Sequence, residues 1–127
     1  MIIKPDATQR NLIGEILHRV EKADFKIAGL KMLNLSVPEA ERFYQIHRGK
    51  DFFERLVNYM ASGKIVVVLL EKKNAVEDLR DFIGVTDPKQ AKGGSIRSDF
   101  GLDVTRNSVH ASDSPQSAEF EIEFFFK

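Results

Sequence analysis

Apolar residues return along this chain in two alternating rhythms. Ile13, Ile16, Leu17 and Val20 recur at i, i+3, i+4 and i+7 with Glu15, His18, Arg19 and Glu21 between them, which predicts an amphipathic helix with one inward stripe. Phe25, Ile27, Leu30, Met32, Leu33 and Leu35 alternate irregularly and predict a strand with a bulge near Gly29. Ser36-Val37-Pro38-Glu39 reads as a helix start, with Ser36 or Val37 as cap and Pro38 in the first turn. That helix should reach about His47 and break at Gly49. A further helix from Asp51 to Ala61 carries Phe52, Phe53, Leu56, Val57 and Met60 and ends at Ser62-Gly63. Lys64 to Glu71 is apolar and β-branched, the pattern of a central strand buried on both faces.

Asn74 should cap another helix, holding Val76, Leu79, Phe82 and Ile83, with Gly84 closing it. From Gly84 to about Thr105 the chain is a long polar excursion, a length that compact domains usually reserve for function or disorder. Ser108 to Ser112 predicts one last short strand, and Ser114-Pro115 a final helix through about Phe124. At the other end, Met1 to Lys4 reads as a short strand stopped by Pro5, and Asp6 to Arg10 as a polar connection. The order β α β α α β α, long loop, β α fits one domain over residues 1–127, a small α/β or α+β sandwich with a single sheet covered by helices.

Composition narrows the chemistry. With 127 residues and 43% hydrophobic content, the chain can build its own core without a disulfide or structural metal. It has no cysteine, which excludes thiolate nucleophiles and Cys-ligated zinc or iron–sulfur centres and fits a reducing compartment. The longest apolar run, Ile65 to Leu70, is six residues, far short of a membrane span, and no secretory signal is visible; the expected location is cytoplasmic. Nineteen Lys+Arg balance nineteen Asp+Glu, so bulk capture of nucleic acid is not the expected main activity.

No Walker A loop, G-x-G-x-x-G, H-E-x-x-H, EF-hand or G-x-S-x-G pattern occurs, so any nucleophile or base must come from His, Ser, Lys or a carboxylate. The densest polar constellation spans Ser95-Ile96-Arg97-Ser98-Asp99-Phe100 and Val104-Thr105-Arg106-Asn107-Ser108-Val109-His110-Ala111-Ser112-Asp113-Ser114. His110 stands in a short strand just before a helix start. A neutral imidazole can attack through one ring nitrogen while the other donates to a carboxylate, for which Glu121 is a candidate. On the residues alone a strand histidine satisfied by core hydrogen bonds is an equal reading. His18 and His47 lie among charged residues and read as surface groups. Arg80 within Glu77-Asp78-Leu79-Arg80-Asp81 reads as part of a solvated ion-pair face, and Phe52 and Phe53 read as core.

Lys4-Pro5-Asp6-Ala7, Ser95 to Phe100, Arg106-Asn107 and above all His110-Ala111-Ser112-Asp113-Ser114 resemble the signature segments of nucleoside diphosphate kinases, in one ungapped register that also takes in Phe52-Phe53 and Thr86-Asp87-Pro88. The resemblance implies a ferredoxin-like sandwich with a four-stranded antiparallel sheet. It implies an enzyme that moves the γ-phosphate of ATP or another nucleoside triphosphate onto His110 and then onto a nucleoside diphosphate. By the same positional match, Glu121 would hold the non-attacking nitrogen, Lys4, Arg80, Arg97 and Thr86 would bind phosphates, and Asn107 the ribose. Tyr44 would buttress the histidine, and the base would stack on Phe52 near Leu56 and Val104. Mg²⁺ would ride on the β- and γ-phosphates, with no direct protein ligand.

The same resemblance implies a homo-oligomer, a hexamer rather than a tetramer if the excursion from Gly84 to Thr105 packs around a threefold axis. The chain departs from the family pattern at Ser98, Thr105 and Ala111. Thr105 is expected to reshape its loop if the backbone there needs positive φ. Only three residues precede Lys4, so a clipped first strand should weaken a sheet edge. Two other classes stay open on sequence: a catalytically silent ferredoxin-like nucleotide-binding or regulatory module, and an RNA-recognition type sheet, against which the neutral charge and the lack of its aromatic motif both argue.

Overall fold

The computed structural model describes residues 1–127. Its elements are β1 (Ile2–Ile3), α1 (Pro5–Gln9), α2 (Ile13–Lys22), β2 (Lys26–Asn34), α3 (Val37–Phe43), a 3₁₀ turn (Gln45–His47), α4 (Phe53–Met60), β3 (Lys64–Glu71), α5 (Ala75–Ile83), α6 (Ile96–Phe100), β4 (Val109–His110) and α7 (Pro115–Phe126). The strands form one sheet in the order β2-β3-β1-β4, and every neighbouring pair is antiparallel. This is the ferredoxin-like arrangement: β3 lies between β1 and β2, and β1 between β3 and β4.

The period-2 pattern of β3 decides how the two layers are filled. Val66 and Val68 point to one face and join Ile3, Ile16, Val20, Leu79, Ile83, Ile96 and Val109. Ile65 and Val67 point to the other and join Ile2, Ala40, Phe43, Phe53, Val57 and Met60, with Phe124, Phe125 and Phe126 packed alongside. Each fully buried side chain of this kind contributes about 1.5–3 kcal/mol. The middle of the sheet is thereby covered on both faces, so it offers no open surface of the RNA-recognition kind.

Ser36 caps α3 through a complete capping box. Its hydroxyl accepts from the Glu39 N–H at 3.2 Å while the Glu39 carboxylate accepts from the Ser36 N–H at 2.9 Å. The bulge in β2 falls between Ile27 and Gly29, as the irregular alternation predicted. At Gly29 an added Cβ would stand 3.0 Å from the Phe126 ring and 3.2 Å from Leu69 Cβ, so glycine lets the ring from α7 pack tightly on the strand.

Several expectations need correction. Asp6 to Arg10 is not a plain connection, because Pro5 at the first helical position starts the short helix α1. Asn74 sits at the start of α5 but in the left-handed region (φ 60°) and makes no side-chain cap bond. The helix expected to reach His47 stops at Phe43 and tightens into the 3₁₀ turn. The excursion after Gly84 is interrupted by α6, capped by Ser95. β1 is indeed two residues long, yet it is an interior strand between β3 and β4 rather than an edge. Thr105 is not among the residues with positive φ, so its β-branch is accommodated without left-handed strain.

Candidate active site

All eleven residues that the resemblance singled out, Lys4, Tyr44, Phe52, Leu56, Arg80, Thr86, Arg97, Val104, Asn107, His110 and Glu121, line one cavity of about 450 Å³. They come from segments spread along the chain from Lys4 to Glu121, with His110 brought among them by β4. The volume lies within the range of small-molecule sites.

His110 is the last residue of β4. Its Nε2 lies 2.7 Å from Glu121 Oε1, and the Ser112 hydroxyl donates to the same carboxylate oxygen at 3.0 Å. With Glu121 ionised, Nε2 carries the proton and Nδ1 is left with a free lone pair. Desolvation lowers the His110 pKa below its usual value, and this outweighs the opposing hydrogen bond and charge of Glu121. The ring is therefore neutral at pH 7, the form in which imidazole is a nucleophile. Phe43 and Tyr44 hold it edge-on, with ring centroids 5.8 and 6.4 Å away.

The cations are held by backbone oxygens rather than by acids. Arg97 donates to Gly84 O at 3.0 Å and Val109 O at 2.9 Å, and its buried Nε has no partner. Burial, followed by the nearby Arg80, lowers its pKa to about 10. Arg80 donates to Ala111 O at 3.2 Å, which turns it from a presumed surface ion pair toward the cavity. Lys4, only 5% exposed, donates to Thr105 O at 2.8 Å and Asn107 Oδ1 at 2.9 Å. Its pKa falls to about 8, chiefly through desolvation and then through Arg97. Three cations without a carboxylate partner in one cavity form a site built for anions.

Asn107 fastens the loops around them. Its Nδ2 donates to Thr86 O at 3.0 Å and Val104 O at 3.2 Å while Oδ1 accepts from Lys4. Phe52, Leu56 and Val104 make the apolar end of the cavity. Tyr44 is buried, and its phenol pKa is raised by desolvation and then by Glu121, so it stays protonated.

Two contributors were not singled out from sequence. His47 is half-buried and lines the cavity, stacked on Tyr44 with centroids 6.3 Å apart and 5.3 Å from the Phe52 ring, with a buried Nδ1 that has no partner. The charged neighbourhood that marked it as surface belongs to Arg48 and Lys50, which lie over the Phe53 and Phe52 rings, 5.3 and 5.9 Å from their centroids. Asp6, 5% exposed, accepts from the Tyr59 hydroxyl, from Arg10 at 3.0 Å and from the Ser108 N–H at 3.3 Å. These bonds hold Ser108 at φ 77°, a costly conformation for a side-chain-bearing residue two positions before His110. The Asp6 side chain sits in the Lys4-Pro5-Asp6 signature; that motif was the one signal that could have marked it.

No group of three or more His, Asp or Glu side chains is arranged to hold a metal ion. No helix is long and apolar enough to cross a membrane.

The family model described as nucleoside diphosphate kinase matches residues 1–127. Among curated proteins, the chain is 50% identical to a nucleoside diphosphate kinase of Geobacter sulfurreducens, covering 98% of this chain and 91% of that one. It is 52% identical to that of Histophilus somni, over 98% of this chain and 89% of the relative, and 51% identical to that of Archaeoglobus fulgidus, over 99% and 83%. A crystal structure of the Aquifex aeolicus nucleoside diphosphate kinase superposes with a TM-score of 0.97 at 43% identity, covering 99% of this chain and 92% of the other.

Proposed function

This chain belongs to the nucleoside diphosphate kinase family, and from that premise we propose that its phosphotransferase reaction runs through a phosphohistidine on His110. The observation that carries the assignment is the Nε2–Glu121 bond, which leaves Nδ1 free within a cavity lined by Lys4, Arg80 and Arg97. Nδ1 attacks the γ-phosphorus of a nucleoside triphosphate; the new N–P bond forms as the bond from phosphorus to the β-phosphate oxygen breaks, and the nucleoside diphosphate leaves with that oxygen. The ring becomes cationic while keeping its Nε2 proton, and the Glu121 carboxylate stabilises that charge. A second nucleoside diphosphate reverses the step with its own terminal oxygen.

Because such a transition state spreads charge over the transferring oxygens, positioned cations contribute most of the catalysis. Lys4 and Arg97 are desolvated and immobilised beforehand, so little reorganisation is needed when phosphate arrives. Thr86 offers a hydroxyl to the phosphates, and Asn107, its amide donors committed to Thr86 O and Val104 O, offers the remaining lone pair of Oδ1 to a ribose hydroxyl. Tyr44, protonated, buttresses His110 and its phosphoryl group. The base stacks on Phe52 between Leu56 and Val104, a contact every base can make.

The donor set suits phosphates and provides no ligand cluster for a resident ion, so Mg²⁺ would enter on the nucleotide and supply charge neutralisation at the β- and γ-phosphates. Working on nucleoside triphosphates, the enzyme would act in the cytoplasm. Self-association is supported by β2, an edge strand that pairs only with β3, and by Leu30 and Met32 on one of its faces, 52% and 55% exposed. A hexamer is favoured over a tetramer by the form of the excursion from Gly84 to Thr105, and the mass in light scattering decides between them.

The mechanism is tested by incubating the protein with γ-labelled ATP and Mg²⁺. An acid-labile, alkali-stable phosphoenzyme should form and be discharged by GDP or CDP. A His110→Ala variant that still became labelled and still transferred phosphate would overturn it.

A further inference from the structure

We propose that Arg55 is a specificity-determining residue that biases the enzyme toward bases bearing a keto oxygen where adenine carries its amino group, guanine above all. This rests on the reading just given, in which the base lies on Phe52. Arg55 is in the first turn of α4, three residues after Phe52 and one before Leu56. Residues three apart share a helix face, and all three side chains line the cavity.

Arg55 is exposed and uncommitted. Asp51 precedes it by four residues, a spacing that often forms an ion pair, yet Arg55 takes part in none of the chain's salt bridges. The other cavity cations are occupied with carbonyl and amide oxygens: Lys4 with Thr105 and Asn107, Arg97 with Gly84 and Val109, Arg80 with Ala111. Those three also lie near the histidine: Lys4 is close enough to Arg97 and to His110, and Arg97 to Arg80, for their charges to act on one another. Arg55 shares the start of α4 with Phe52 and Leu56, whose side chains have no hydrogen-bonding group, and all three line the cavity.

A guanidinium donates and never accepts. Against guanine its fork can meet O6 and N7 together, the pairing it makes with that base in the DNA major groove. Adenine puts an amino donor beside N7, so one arm of the fork faces another donor. Stacking on Phe52 is blind to this difference, so any discrimination must come from a group at the base edge. Solvent exposure keeps the effect at the lower end for such pairs, about fivefold.

The test is discharge of prelabelled phosphoenzyme by GDP, IDP and ADP in single turnovers. The wild type should be discharged about fivefold more efficiently by GDP and IDP than by ADP. That ratio should collapse to about one in Arg55→Ala and be partly retained in Arg55→Lys, which keeps a donor without the fork. A ratio unchanged by Arg55→Ala overturns the proposal, as does a wild-type preference for GDP that IDP does not share, which would place the discrimination on the 2-amino group. If no phosphoenzyme forms, the mechanism through His110 fails instead. Calorimetric Kd values for GDP and ADP then decide on Arg55: a GDP preference lost in Arg55→Ala supports it, and equal values in the wild type overturn it.

Discussion

Lys4 couples catalysis to stability in a way that pH can expose. Its ammonium is buried, and its pKa in the folded chain drops from the usual 10.5 to about 8. The unfolded chain therefore binds this proton more tightly than the native one. The charged form opposes folding below pH 8, and that opposition is relieved as pH rises toward 10.5, where the unfolded lysine also loses its proton. Integrated from pH 7 to pH 10, the native state should gain roughly 2–3 kcal/mol from this one group. A Lys4→Met variant isolates the effect. It leaves Thr105 O and Asn107 Oδ1 without a donor, which costs about 1–3 kcal/mol per group but does so at every pH. Other groups titrate in both proteins and cancel in the difference. Urea unfolding of both proteins between pH 7 and pH 10 should show the wild type gaining on the variant by about 2–3 kcal/mol. A difference that stays flat, or that moves against the wild type as pH rises, would refute the buried-cation account. Nucleotide should act in the opposite sense, because phosphate favours the charged form, so binding above pH 8 must take up a proton and weaken.

Three further outcomes follow from the same geometry. Because desolvation lowers the His110 pKa, the acid limb of phosphoenzyme formation should have its midpoint below the ordinary 6.5; a midpoint above 7 in a pH–rate profile would contradict a neutral, desolvated ring. Glu121→Gln removes the charge that stabilises the cationic ring and should slow single-turnover phosphorylation on the order of a hundredfold, with the melting temperature little changed; full activity would leave the carboxylate without its assigned role. Gly84→Ala places a Cβ 2.6 Å from Ser95 Oγ at φ 93°, disturbing the carbonyl that Arg97 uses; a loss of at least about 1 kcal/mol in urea unfolding together with a raised KM for nucleotide is expected, and an unperturbed variant would show that the turn is not constrained.

Much of this protein is legible in one dimension because its secondary structure follows periodicity closely. β3 spans Lys64–Glu71 as its apolar run requires, and Ser36 caps α3 through a box whose two halves lie three residues apart. Such signals are local: a cap, a stripe or a β-branched run is complete within a few residues. Where the elements end was less legible. α1 is anchored by the Asp6 contacts with Tyr59 and Ser108, and α3 gives way to the 3₁₀ turn where Tyr44 and His47 pack toward Phe52 and His110, contacts made with distant parts of the chain.

For the site, sequence determined which residues could do the chemistry: no cysteine, one histidine in a strand followed by a serine-rich helix start, and a family register that picked out eleven positions. Tertiary structure decided what those residues are. Nineteen positive charges against nineteen negative argued only against bulk capture of nucleic acid; folding gathers three cations that form no salt bridge into one cavity and holds them through oxygens of the backbone and of Asn107. Arg80 looked like part of a surface ion-pair face; it stays exposed, yet it donates to Ala111 O at the cavity wall, and His47, which looked like surface, became part of that wall. The shifted pKa values of Lys4 and His110 arise first from desolvation, a property of where a group is buried rather than of what precedes it in the chain.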